Sequence, residues 1–188
     1  MKLKRFITES RNQKVISVDI QPEYHKHISF NLYKYFDWLS NQRDILYFYN
    51  GVETVGRDTE NDVMMFMMEH EFPEEKIDNV EFVDKGYAFF RGWMDYGVDD
   101  DIIVKVVKHM ISKRTYDSRD IKDLEKLVDL DDIPDDDAIA IPDISFSLLK
   151  RYNNSILVGG GANECLLEIE LLLRSLNINY RKNNQFIY

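Results

Sequence analysis

Residues 155–173 read Ser155-Ile156-Leu157-Val158-Gly159-Gly160-Gly161-Ala162-Asn163-Glu164-Cys165-Leu166-Leu167-Glu168-Ile169-Glu170-Leu171-Leu172-Leu173. A short apolar run stops at three glycines and gives way to a stretch whose apolar residues, Leu166, Ile169, Leu173 and Leu176, recur at helical spacing. Four to eight apolar residues closed by a turn signal make a strand buried on both faces, and the 3.6-residue period makes the sequel a helix. Strand, turn, helix is the unit of a parallel sheet, since parallel strands need a crossover between them.

The same order recurs upstream. Residues 15–20 form a first apolar strand, and a polar loop follows over 21–27. Ser29 is placed to cap a helix running to about residue 42, with Leu32, Phe36 and Leu39 along one face. A second strand over 44–49 closes at Asn50-Gly51. Thr59 and Asp62 have capping-box spacing ahead of the methionine-rich stretch 63–68. A third strand covers 80–83, and Asp99 caps a helix over 100–113 with Ile103, Val106, Val107 and Met110 as its stripe. Asp117 or Ser118 begins a further helix through Ile121, Leu124 and Leu127; the acidic run 129–137 is a solvated connection. Residues 138–141 read as a fourth short strand, Pro142-Asp143 introduces a helix with Phe146 and Leu149, 155–158 is the fifth strand, and a last strand or hairpin follows Asn177. The expectation is one α/β domain over residues 1–188: a three-layer sandwich around a mostly parallel, Rossmann-like sheet of five or six strands.

Composition narrows the function classes. The 188 residues are 44% apolar and 31% charged with a net charge of −10. That acidity disfavours broad binding to nucleic acid or anionic membrane, because phosphate contacts need clustered Lys and Arg. The basic start Met1-Lys2-Leu3-Lys4-Arg5 leads into no apolar run of signal-peptide length, and no stretch approaches the ~18 residues of a membrane span. A single cysteine, Cys165, excludes an internal disulfide and fits a reducing compartment, so the expected location is the cytoplasm. Partners left open are a small-molecule substrate, a protein, and further copies of the chain in a homo-oligomer.

Ligands of open parallel sheets bind beyond the carboxyl ends of the strands. Asp19 ends the first strand, Lys85 follows the third, and the turn 159–165 follows the fifth, which brings an acid, an amine and a thiol toward one sheet edge. The pattern resembles that of the isochorismatase-like cysteine hydrolases. Val18-Asp19-Ile20-Gln21 is similar to their Asp-x-Gln, Lys85-Gly86-Tyr87-Ala88-Phe89 to the segment around their lysine, and Gly159 to Cys165 to their nucleophile turn, with Ala162 where Thr is usual. The Asp-x-His metal cluster of the nicotinamidases in that superfamily has no counterpart after the second strand. The resemblance implies a metal-independent hydrolase of small amide- or ester-like substrates. In it Cys165 attacks as a thiolate of lowered pKa, Asp19 takes its proton, Lys85 keeps both groups charged, and the backbone N–H groups of Gly161 and Cys165 hold the oxyanion.

Plainer readings stand beside this one. Cys165 can be core filler, Asp19 a turn cap, and Lys85 a surface lysine paired with Asp84 or Asp95. Glu164, next to the cysteine, opposes thiolate formation. Asp19, Glu23, Asp117 and Asp120 form an alternative carboxylate set for Mg²⁺ or Mn²⁺, as in small PIN-like nucleases. The stretches 84–101 and 115–120, with 159–173 and the terminal Phe186-Ile187-Tyr188, also resemble a family of uncharacterised tailed-bacteriophage proteins. That likeness implies a viral origin, residence in the host cytoplasm, and a third class of function: non-catalytic binding of a host or virion partner through an exposed aromatic or methionine-rich patch.

Overall fold

The computed structural model describes residues 13–52, 56–85, 90–129, 131, 133, 138–141 and 144–188. Five strands, β1 (Lys14–Val18), β2 (Asp44–Tyr49), β3 (Val80–Asp84), β4 (Ser155–Gly159) and β5 (Tyr180–Lys182), form one sheet in the order β3-β2-β1-β4-β5. Every pairing is parallel. The fold is therefore an α/β sandwich with a Rossmann-like sheet. The order runs outward from β1 in both directions, so the topological switch point lies between β1 and β4.

The central strands β1, β2 and β4 are largely apolar on both faces because both faces are covered. Val15, Ile45, Tyr47, Ile156 and Val158 pack in one layer with helices α1 (Leu32–Ser40) and α2 (Glu60–Glu69). Ile16, Val18, Leu46, Phe48 and Leu157 pack in the other with α3 (Arg91–Tyr96), α4 (Asp100–Lys113), α5 (Phe146–Arg151) and α6 (Cys165–Ser175). Capping chemistry sets several helix starts. The Thr59–Asp62 capping box is complete, and the Asp99 side chain accepts from the Asp101 N–H. The first long helix is capped by Asn31, which accepts from Lys34 N, rather than by Ser29.

Two expected elements are absent from their positions. Residues 138–141 do not join the sheet: Ala140 makes one isolated antiparallel bridge with Asp117, while Ile139 and Ile141 bury against the helical layer. The segment is held by its pairing with 116–118 and by burial of Ile139 and Ile141 among the helices, which keeps it away from the sheet edges. The helix expected from 117 or 118 is instead two 3-10 turns, Ser118–Asp120 and Leu124–Lys126. Asp123 between them takes a left-handed conformation (φ 67°), which a continuous α-helix does not admit. Residues 134–137, Pro142-Asp143 and the basic start of the chain lie outside the described residues. No helix among the described residues is long and apolar enough to cross a membrane.

Candidate active site

Asp19 is the first residue beyond β1, and its backbone holds a left-handed conformation (φ 51°). Its N–H donates to Phe48 O at 2.9 Å and its carbonyl accepts from the Tyr188 hydroxyl at 3.1 Å, so the turn is tied on both sides. An unfavourable backbone conformation held at a strand's carboxyl end marks a site where the fold imposes a side-chain direction. Lys85 is the first residue beyond β3, two strand spacings or roughly 10 Å from β1. Its side chain spans that gap past the end of β2, and Nζ stands 3.1 Å from Asp19 Oδ2, with both side chains 1% exposed or less.

Cys165 arrives from β4. Gly159 (φ 81°) and Gly160 (φ 62°) turn the chain sharply, and a Cβ on Gly159 would stand 2.3 Å from Val18 O. Only glycine lets β4 close on β1 there and swing α6 back over the sheet edge. Cys165 opens α6, half-buried, with its thiol in direct interaction with the Asp19 carboxyl. Acid, amine and thiol, expected at one edge, do meet there. Of the flanking Lys85-to-Phe89 motif, residues 86–89 lie outside the described residues.

A fourth group completes the cluster. Glu168, one turn after Cys165 on the same face of α6, is 1% exposed and reaches within 3.8 Å of Lys85 Nζ. Neither of its oxygens, nor either oxygen of Asp19, has an aligned hydrogen-bond donor among the described residues. Two carboxylates thus share one ammonium. Burial raises the Asp19 pKa against the lowering effects of Lys85 and of Cys165. Burial carries Glu168 to about 7, with Lys85 opposing and Asp19 reinforcing the shift. For Lys85, burial works downward, but the charges of Asp19, Cys165 and Glu168 outweigh it and hold the ammonium firmly protonated.

The thiol departs from expectation. Burial first, then the Asp19 charge, push the Cys165 pKa up, and Lys85 does not compensate. The resting group is a neutral thiol, not a thiolate. The carboxylates that oppose ionisation are Asp19 first and then Glu168, while Glu164, expected in that role, has a side chain 60% exposed that faces Arg91 at 3.7 Å.

Cys165 lies in a cleft of about 550 Å³, lined also by Tyr24, His27, Gly161, Asn163 and Tyr188. The charged trio Asp19, Lys85 and Glu168 sits behind it, away from solvent. The Tyr24 oxygen accepts from Asn50 Nδ2 at 2.8 Å, and burial lifts its pKa to about 12, so it remains a hydroxyl donor. Gln21 fixes this wall: its Oε1 accepts from Asn50 N at 2.8 Å, and its Nε2 donates to Asp58 Oδ2 at 2.8 Å. The backbone N–H groups of Gly161 and Cys165 donate to no acceptor among the described residues, whereas that of Ala162 is occupied by Tyr188 O at 2.9 Å.

Comparison of the chain with protein-family models, with curated proteins and with solved structures finds no match.

The alternative carboxylate set does not assemble. Asp19 is committed to Lys85, Glu23 to Arg57 (backbone N–H, 3.1 Å) and Asp117 to Arg119 (2.6 Å), while Asp120 borders a different cleft with His109 and Lys113. No group of three or more His, Cys, Asp or Glu among the described residues is placed to hold a metal ion. The plain readings of Asp19 and Lys85 also fall, since both are buried in one ion pair. In the methionine-rich helix Met67 is buried, Met64 and Met68 are half-buried, and Met65 is exposed, so this stretch is mainly core. Sequence reading missed Glu168, Tyr24 and Tyr188. Glu168 alone left a sign: it interrupts an apolar helix three residues after the cysteine.

Proposed function

We propose that this chain is a cysteine hydrolase of the isochorismatase-like type, acting on a small amide- or ester-like substrate. The observation that supports it is the Asp19–Lys85 ion pair standing directly behind a cleft-lining thiol. A thiol in the cleft, with a buried base behind it and a buried ammonium paired to that base, is an arrangement for nucleophilic acyl transfer.

Proton transfer from Cys165 to Asp19 converts a carboxylate and a thiol into a carboxylic acid and a thiolate. The net charge of the buried group is unchanged and Lys85 faces an anion before and after, so low dielectric does not forbid the step. The sulfur attacks the substrate carbonyl carbon, and the C=O pair moves onto oxygen, where the free N–H groups of Gly161 and Cys165 are available as donors. Collapse expels the amine or alkoxide, which leaves with the proton from Asp19. Water then gives a proton to Asp19 and attacks the thioester, and the departing sulfur recovers that proton. The raised thiol pKa fits a nucleophile ionised during the reaction rather than stored as thiolate. A cleft of about 550 Å³ with aromatic walls suits a small planar substrate.

The test is turnover of a panel of small amides and esters, read as ammonia or alcohol release, with mass analysis of Cys165 after rapid acid quench. We expect release by the wild type, none by Cys165→Ala, and an acyl adduct on the cysteine peptide. Absence of both turnover and adduct across the panel would overturn the reading.

A further inference from the structure

The four-group cluster has one member that the acyl-transfer scheme does not use. Glu168 lies on the face of α6 that carries Cys165, is 1% exposed, and approaches to 3.8 Å the same Lys85 Nζ that stands 3.1 Å from Asp19. Its neighbour Glu170, also buried, has its own lysine, Lys182 at 3.1 Å. Among the described residues Glu168 has none: its one cation within salt-bridge distance there is the one already held by Asp19. A buried carboxylate without a counter-ion of its own costs stability, and a core position on an apolar helix would be filled more stably by Leu or Met.

We propose that Glu168 is a positioning residue that acts through Lys85, dividing the ammonium's charge between two carboxylates and so holding Cys165 in its protonated form. With Glu168 ionised, the cluster holds two negative charges, one positive charge and a neutral thiol; forming a thiolate adds a third anion around a single cation. With Glu168 neutral, the thiolate and Asp19 share Lys85 alone. The proposal rests on the reading of Cys165 as a nucleophile and adds a latch to it: the thiol is quiet toward electrophiles and oxidants at large and ionises only by handing its proton to Asp19. The charged and titratable groups facing Glu168 are Lys85 and Asp19 from the strand ends, Arg91 and Asp95 from α3, and Cys165 on its own helix. Those facing the thiol are Asp19, Lys85, Glu168, Tyr24 and Tyr188, with His27 and Glu164 on the wall of the same cleft. Burial brings the Glu168 carboxyl to about 7, so it changes charge near neutrality.

The experiment is the rate of iodoacetamide alkylation of the single cysteine between pH 5 and pH 10, in the wild type, Glu168→Gln and Glu168→Asp. The isosteric Gln removes the charge; Asp retains it while loosening the packing. We expect Gln to react on the order of tenfold faster than wild type above pH 8, the ratio falling toward one below pH 6, where the wild-type carboxyl is itself neutral. Asp stays within about twofold of wild type. Should the Gln variant fail to fold, the wild type alone is decisive: its log rate against pH bends near pH 7 and loses about one log unit as Glu168 ionises. A straight unit-slope line in the wild type, equal rates for Gln and wild type, or an Asp variant as fast as Gln would each overturn the proposal. Alkylation needs no turnover, so a failed hydrolase assay and a failed latch are read separately.

Discussion

A carboxyl that binds its proton more tightly in the folded chain than in the unfolded one leaves a signature in stability. Glu168 moves from an ordinary 4.5 to about 7 on folding, chiefly through burial. Between those values the folded chain holds a proton that the unfolded chain has released, so stability is greatest at low pH and falls as pH rises through that window. The loss attributable to this one group is about 3 kcal/mol. Asp19, also raised by burial, acts with the same sign. We therefore expect the urea midpoint of the wild type to drop between pH 5 and pH 8, and Glu168→Gln to flatten most of that drop; parallel curves for the two proteins would contradict it. Residues at this scale were unevenly legible. Asp19 and Lys85 could be found because each directly follows a strand, and Cys165 because it closes the turn after one, where the chain must emerge at the carboxyl edge of the sheet. Glu168 was hidden because an acidic residue in an apolar helix is ordinarily assigned to the solvent side, and only its burial beside Lys85 shows otherwise.

Elements were legible where local chemistry decides them. Asp99 and the Thr59–Asp62 pair fix helix starts through hydrogen bonds within a few residues, and the strands announce themselves by doubly buried apolar runs. The stretch from 117 to 141 was not legible, because its shape answers to distant partners: the Ser118 N–H donates to Ile139 O at 2.8 Å and Ile141 N to Tyr116 O at 2.8 Å. Apolar spacing alone cannot tell a helix from two turns strapped to a passing segment. The β4–α6 connection is the element on which the site depends most. A methyl group on Gly159 would meet Val18 O at 2.3 Å in a backbone conformation that L residues avoid. Gly159→Ala should cost well over about 1 kcal/mol of stability. Because the turn also aims α6, the same variant should lose the resistance of Cys165 to alkylation near neutral pH, while Gly97→Ala, with open space around its Cβ, should leave that resistance unchanged.

For the whole molecule, the sheet is the shared wall of two separate apolar layers. Trp38 packs in the layer of α1 and α2, 5.1 Å from the Phe186 ring, and Trp93 is buried in the opposite one. Each layer covers only one face of the same five strands, so neither is expected to survive loss of the other. Single-tryptophan proteins made by Trp38→Phe and by Trp93→Phe should each unfold in urea at the same midpoint as their own far-ultraviolet circular dichroism, whereas a gap between the probes would divide the chain into two folding units. The sheet order has a further result in time. Val15 finds Ile45 on one side early in the chain, but its other partner, Ile156, is separated from it by most of the sequence. Closing so long a loop is the slow part of assembling such a topology. On a ribosome, β1 to β3 emerge and can pair while the cysteine has yet to be translated; when it appears, its thiol is as reactive as that of any unstructured peptide. Docking of β4 beside β1 is then the event that builds the site and draws its thiol into the cleft, so a newly made chain is chemically most vulnerable in the interval before β4 and α6 are seated.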